Sequence, residues 1–316
     1  MARLSIYGTD AEYRTSTLDL GTIGSPISVD ASLTNASFAQ SSDGSVFTCN
    51  TGGIMSKRVG DDAPTTLTTI STLQEFTSDN TYLWGAAGGV PGTLVRVEKS
   101  SFTSYDSYTV TNHGVDGGLS QSHCAIDGNG DVWLPTGRVS GTLSLRFARL
   151  TKFDTQALTF GPTYDITSVR ATTEALSIVN DTAYASVDIV NSANKQVLQV
   201  DLTDGSIDGS ITIAGVPRHS VILNGDLFVV TSSNFYKIDL ATFTTTTSLA
   251  ISSTYAIATD GSNDLWLADG GTLRRVDAST FTVIATATIT PGTDGNLIAF
   301  EPDVATRGWV VGSVGW

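Results

Sequence analysis

A short apolar run, a tight turn built on Asp, Asn and Gly, and a strand centred on an aromatic residue recur along this chain. The unit reads Asp43-Gly44-Ser45-Val46-Phe47, then Asp79-Asn80-Thr81-Tyr82-Leu83-Trp84, then Asp127-Gly128-Asn129-Gly130-Asp131-Val132-Trp133. It continues as Asn180-Asp181-Thr182-Ala183-Tyr184, Asn224-Gly225-Asp226-Leu227-Phe228 and Asp260-Gly261-Ser262-Asn263-Asp264-Leu265-Trp266. A weaker copy ends at Gly308-Trp309. The anchors Phe47, Trp84, Trp133, Tyr184, Phe228, Trp266 and Trp309 are separated by 37, 49, 51, 44, 38 and 43 residues.

A period in the forties with several strands per unit predicts an all-β, seven-bladed β-propeller, each blade a four-stranded sheet. The second unit is the clearest. Its strands are Gln74–Thr77, Tyr82–Ala86, Leu94–Glu98 and 105–111. Later units repeat the third strand as Val197–Asp201, Phe235–Asp239 and Leu273–Asp277. Alternation of apolar and polar residues marks these runs as half-buried strands. The fourth strands, such as Thr244–Ile251, are rich in β-branched residues, which favour the pleat. No segment of useful length has helical periodicity.

The seventh aromatic strand, Trp309-Val310-Val311, stands near the end of the sequence without its third and fourth partners. Arg3–Tyr7 has the pattern of a third strand and Tyr13–Leu18 that of a fourth. The expectation is a single domain over 1–316 in which residues 1–20 complete the last blade with 295–316. Such closure removes two exposed sheet edges.

Charged residues make up only 15% of the chain, yet the net charge is −14. That surface repels phosphate, and no Lys/Arg cluster in the sequence reverses it, so nucleic acid is not an expected partner. Membrane insertion is not expected either, because no stretch is apolar enough to span a bilayer. The N-terminal residues lack the apolar core of a signal peptide, which predicts a cytoplasmic or virion location. Cys49 and Cys124 fall in strands of different units, outside any Cys-x-x-Cys spacing, and are expected to remain free thiols.

The Asp-Gly-x-(x)-Asp-Leu/Val-Trp-Leu units, each followed by a strand like Leu-x-Arg-Val-Asp, resemble the blades of YVTN/NHL-type and virginiamycin-lyase-like seven-bladed propellers. The resemblance spans nearly the whole chain and implies a fold and a binding geometry rather than a reaction. Lyase-like relatives place a few His and Glu residues and a divalent ion around the central channel. Only His123, His219 and Glu174 are available for that set here, and they do not match it residue by residue.

Asp127–Asp131 has part of a calcium-loop pattern, but its twelfth position is Arg138 rather than Glu. A hairpin turn, in which Asp and Asn accept backbone N–H groups and Gly supplies positive φ, explains it better. The regular aromatic anchors are expected to pack between blades. Polar residues at the starts of the first strands line the expected channel mouth: Gln74, Glu75, Gln121, His123, Glu174, Arg218, His219 and Tyr255. Aligned on their turns, Glu75 falls opposite His123, and Gln74 opposite His219 and Tyr255. Gln121, Glu174 and Arg218 come one residue earlier. This mouth is the candidate binding site. The second-to-third connections 135–144 and 188–196 read as long excursions beside it.

No nucleophile elbow, phosphate loop or metal-ligand spacing occurs, so no catalytic residue, metal or cofactor is expected. The expected role is a noncatalytic interaction or structural propeller whose partners are other proteins of a larger assembly. Its Ser/Thr/Gly-rich composition looks like that of bacteriophage tail or capsid-decoration proteins. The alternatives are a lyase- or lactonase-type enzyme using Glu174, His123 and His219, and a bacterial propeller that binds a peptide or glycan.

Overall fold

The computed structural model describes residues 3–7, 12–16, 36–42, 45–50, 53–59, 65–69, 73–87, 92–110, 124–139, 146–251, 254–259, 263–269, 272–288 and 297–301. Among them every regular element is a strand, and each paired strand runs antiparallel to its neighbour.

The strands β1 (Arg3–Tyr7) and β2 (Glu12–Ser16) form a sheet with β26 (Leu297–Glu301), in the order β2-β1-β26. The next sheet contains β3 (Ala36–Ser42), β4 (Ser45–Asn50), β5 (Ile54–Val59) and β6 (Thr65–Thr68) in chain order. Another is made by β7 (Leu73–Ser78), β8 (Tyr82–Ala87), β9 (Thr93–Glu98) and β10 (Tyr105–Thr109). A seven-stranded sheet follows: β11 (Ala125–Ile126), β12 (Val132–Val139), β13 (Arg146–Asp154), β14 (Thr159–Val179), β15 (Thr182–Ile189), β16 (Asn194–Asp201) and β17 (Ile207–Ala214). Its 21-residue β14 pairs with β13 in its first half and with β15 in its second, so it joins two four-stranded units. The remaining sheets are β18 (Pro217–Leu223) to β21 (Thr244–Ala250) through β19 (Asp226–Thr231) and β20 (Asn234–Asp239), and β22 (Thr254–Thr259) to β25 (Thr282–Thr288) through β23 (Asp264–Asp269) and β24 (Thr272–Asp277).

Register begins at the turn between the first and second strands of each unit. Asn180 (φ 53°) and the pair Asn224 and Gly225 (φ 54° and 84°) supply the left-handed backbone that two-residue hairpins require. In Asp79 and Asp127 the side chain does more. Asp127 Oδ1 accepts the N–H groups of Asn129 and Asp131, and its Oδ2 accepts Trp133 Nε1–H at 2.9 Å. Asp79 likewise accepts the N–H groups of Thr81 and Tyr82, and Trp84 Nε1–H at 2.7 Å. The Asp127 turn is therefore a hairpin device tied to the indole of its own second strand.

All six described anchors, Phe47, Trp84, Trp133, Tyr184, Phe228 and Trp266, are buried. They fill the wedge between successive twisted sheets. A basic residue lies directly opposite five of them on the third strand: Lys57, Arg96, Lys152, Lys237 and Arg275. Four of these cations sit 5.6–6.0 Å from the anchor ring, within cation–π range. Lys57 and Lys237 also donate to the backbone carbonyls of Lys99 and Ala278 in the next sheet, at 2.6 and 2.9 Å. The sixth anchor, Tyr184, faces Gln199.

A second aromatic covers the anchor from outside. The turns between third and fourth strands place Phe102, Phe243 and Phe281 at positive φ (45°, 46° and 54°), where a bulky side chain is rare. Each ring packs on the anchor of the preceding sheet: Phe102 on Phe47, Phe243 on Tyr184, and Phe281 on Phe228, at 5.7–6.1 Å. This contact offsets the backbone strain. The turn between β16 and β17, in the unit after that of Trp133, differs. Gly205 (φ 81°) takes the left-handed position, and a Cβ there would lie 2.4 Å from the Tyr164 ring. Tyr164 itself stacks on Trp133 at 5.8 Å and fills the space.

Cys49 and Cys124 are buried thiols outside any disulfide, as expected from their spacing. The N-terminal strand departs from expectation. Instead of third place in its sheet, β1 pairs directly with β26, with Leu4 opposite Phe300 and Ile6 opposite Ile298. That register puts the alternating apolar positions of both strands on one face. Trp309-Val310-Val311 lie outside the described residues.

Candidate interaction face

The first strands begin at the end of each sheet opposite the Asp-bearing turns. There five of the described ladders carry a bulge of one residue. On β3 the extra residue is Ser37, on β7 Gln74, on β14 Glu174, on β18 Arg218 and on β22 Tyr255. A bulge leaves one residue outside the pairing and re-aims it, and such bulges gather where sheets meet ligands. The neighbouring first strands β3 and β7, β14 and β18, and β18 and β22 lie beside one another, so these positions share one face.

The structure corrects the alignment drawn from turns alone. Gln74, Glu174, Arg218 and Tyr255 are equivalent to one another, and Glu75 and His219 share the following position. A bulge shifts the side-chain phase by one residue and is invisible to counting back from a turn. Gln121 and His123 lie outside the described residues, and for Gln74, Glu75 and Tyr255 only the strand position is described.

Glu174 and Arg218 are brought together across adjacent sheets, with Lys195 and Asp188 near them. Burial holds the Glu174 carboxyl above the usual carboxylate range. A hydrogen bond from Thr172 Oγ1, at 2.5 Å, and the charges of Arg218 and Lys195 oppose that shift, while Asp188 adds to it. Lys195 forms an ion pair with Asp188 and donates to the Ile189 carbonyl at 2.9 Å. Arg218 is exposed and His219 half-buried. Behind them Ser177 and Ser220 share a buried hydrogen bond of 2.8 Å across the two sheets. Among the described residues no group of three His, Cys, Asp or Glu side chains could hold a metal ion.

The excursion expected at 188–196 takes the form of an extended hairpin: β15 and β16 each run eight residues and turn through 190–193. The β12–β13 hairpin is long in the same way, with Pro135 to Val139 inside β12, while 140–145 lie outside the described residues. The corresponding strands β8, β9, β19, β20, β23 and β24 are six residues long, so these two hairpins extend further in sequence at this end. Beside them, where β14 passes from one unit to the next, Phe147, Asp165, Ile166, Thr167, Ser168 and Ile207 line an open depression of about 400 Å³.

Sequence reasoning named Gln74, Glu174, Arg218 and Tyr255 as channel-mouth residues without foreseeing the bulges, and missed both Ser37 and the aromatic cover. Its signal is visible in the repeated Ser-Ser-Phe-Thr, Ala-Thr-Phe-Thr and Ser-Thr-Phe-Thr at 100–103, 241–244 and 279–282.

No protein-family model matches the chain, and no curated protein does. Solved structures do. Apo AztD from Citrobacter koseri is similar over 95% of this chain and 98% of its own, at 12% identity and a TM-score of 0.60. Hydrazine synthase from Kuenenia stuttgartiensis is similar over 85% of this chain and 90% of its own, at 12% identity and a TM-score of 0.64. The WD40 β-propeller domain of Doa1 matches 81% of this chain and 83% of its own, at 13% identity and a TM-score of 0.60. At such identities the likeness concerns the fold, and the fold is a β-propeller.

Proposed function

We propose that this chain is a noncatalytic interaction propeller that holds protein partners at the bulge end of its first strands. The observation that carries this is a contrast within the repeat. Where the chain packs on itself, five of the six described units keep one chemistry: an aromatic anchor with a basic residue opposite it. At the bulge, the same structural position is Ser37, Gln74, Glu174, Arg218 or Tyr255. Repeat architectures that bind other molecules vary side chains on a constant frame in this manner.

The ring itself is read as seven-bladed and closed by both ends of the chain. In support, contacts between first strands run from β3 through β7, β11, β14, β18, β22 and β26 and return to β3. The pairing of β1 with β26 supports the same closure. The low charge content and Ser/Thr/Gly-rich surface support a place in a larger assembly, and within that reading a bacteriophage tail or capsid-associated role.

The test is a variant with Gln74, Glu174, Arg218 and Tyr255 all changed to Ala. It should keep its circular dichroism and melting temperature but lose the proteins that co-purify with the wild type from its native source. Retention of those partners overturns the reading. So does a divalent ion bound stoichiometrically by the wild type and lost in Glu174→Ala, which would favour the lyase-like alternative.

A further inference from the structure

The outer rim of the sheets repeats a bulge of its own. In three of the described ladders the fourth strand carries one extra residue against the third: Asp208 on β17, Thr246 on β21 and Ile284 on β25. All three residues are exposed. Each of these strands stands last in its sheet, so one side of its backbone has no strand partner among the described residues. Such an edge is a template for a further strand, and folded proteins blunt it with charge, proline, brevity or a bulge. Most of the rim follows that practice. β17 sets Asp208 at its bulge, β10 carries Asp106, the edge segment of β14 contains Pro162, and β6 is four residues long. On β21 the bulge residue is polar, and Thr246 Oγ1 turns back to donate to the Lys237 carbonyl at 3.1 Å.

β25 breaks the pattern. It reads Thr-Val-Ile-Ala-Thr-Ala-Thr, without charge, Pro or Gly. Val283 is 40% and Ile284 48% exposed, and among the described residues no other two consecutive large apolar side chains are so exposed. The residues equivalent to Val283 are Ile207 on β17 and Thr245 on β21, so of the three strands only β25 sets two large apolar residues together at the bulge. An uncharged run of β-branched residues at an edge pairs readily with another extended segment.

We propose that the outer edge of β25 is a docking site for an extended segment of a partner protein, which adds to the sheet as a fifth strand and covers Val283 and Ile284 with its own β-branched side chains. Main-chain hydrogen bonds supply the affinity in this mode, and the side chains at the edge supply the specificity. Two arguments select a segment over a second copy of this chain. The seven residues of β25 extend about 24 Å, and two rigid rims meeting along that line fall short of the roughly 1,200 Å² that stable pairs bury. A second copy also brings a net charge of −14 against −14. By the same charge complementarity the segment carries Lys or Arg at its flanks. This surface lies on the rim, apart from the bulge end of the first strands.

Fluorescence anisotropy on the intact protein tests it, with a labelled peptide of three Thr-Val repeats flanked on each side by two lysines. The wild type should bind the peptide saturably. Ile284→Lys sets a charge on the edge and should weaken binding roughly tenfold or more. Thr246→Lys, at the equivalent position of β21, should leave it unchanged. The same peptide N-methylated throughout its Thr-Val repeats keeps its side chains but loses its N–H donors, and should not bind. That comparison uses only the wild type, so it holds whatever a variant does to folding. The four-alanine variant of the bulge end should bind the peptide as the wild type does. Absence of saturable binding to the wild type, undiminished binding by Ile284→Lys, or equal binding of the N-methylated peptide overturns the proposal. Loss of binding in Thr246→Lys or in the four-alanine variant also overturns it, because the peptide then sits elsewhere. A wild-type dimer in sedimentation that Ile284→Lys abolishes overturns it in favour of a second copy.

Discussion

The Asp-turn end and the bulge end of the sheets are built from the same strands but obey different rules. At the first, each unit repeats an aromatic anchor, most add an opposing cation, and three carry a Phe at positive φ against the preceding anchor. At the second, the ladder is interrupted at one equivalent position and the residue there changes from unit to unit. The difference teaches where stability and recognition are separated in this molecule. Repetition marks the positions on which every sheet depends. Variation on a constant backbone marks positions that the fold leaves free.

Substitutions should break or sharpen this contrast in a definite order. The largest effect belongs to the anchors. Trp133→Ala or Trp84→Ala should lower the free energy of unfolding by about 3–5 kcal/mol in urea titrations, as large aromatic truncations in cores do. Asp127→Ala should follow at about 2–3 kcal/mol, because it orphans an indole N–H and two backbone N–H groups at once. Next come the left-handed turn residues. Phe281 is buried and Leu158 is 38% exposed, although both have positive φ (54° and 56°). Phe281→Gly should therefore destabilise by about 2 kcal/mol, since lost packing exceeds relieved strain. Leu158→Gly should lie within about 0.5 kcal/mol of the wild type or stabilise it.

At the bulge end the effects on stability should be small. Arg218→Ala is expected within about 0.5 kcal/mol at neutral pH. Acid titration sharpens the comparison through opposite signs. Hydrogen bonds from Ser279 and Thr280 lower the Asp277 pKa to about 2, so its contribution is present above the ordinary carboxylate range and is lost as pH falls toward 2. Glu174 is shifted the other way by burial. Its contribution is complete at low pH and is lost as pH rises through its folded pKa. Asp277→Asn should therefore flatten the acid limb of the stability profile, and Glu174→Gln should remove a decline on the neutral side.

The repeat period and the turn chemistry made the propeller legible in the sequence. Phe47, Trp84, Trp133, Tyr184, Phe228 and Trp266 follow Asp, Asn and Gly turns so regularly that both burial and strand order follow from them. Four of the five bulge positions were named from the sequence but not in phase, because the bulges at Gln74, Glu174, Arg218 and Tyr255 shift each strand by one residue. Bulges depend on pairing across strands, which no single segment encodes. The β15–β16 connection was legible as a long excursion but not as paired strand, for a related reason. Asn191 and Ser192 are turn residues, but the polar stretch around them continues as paired strand because a long partner is available. The direct pairing of β1 with β26 joins segments nearly 300 residues apart in sequence and leaves no local signal.

Photo-cross-linking tests the division between the two ends most directly. A benzophenone side chain would replace Ala193, in the exposed β15–β16 turn at the bulge end, or Asp204, in the exposed turn between β16 and β17 at the Asp end. The two sites belong to one sheet, so folding affects them alike. Irradiated within the native assembly, the Ala193 position should form partner adducts and the Asp204 position should form few or none. Adducts at Asp204 with none at Ala193 would contradict the account.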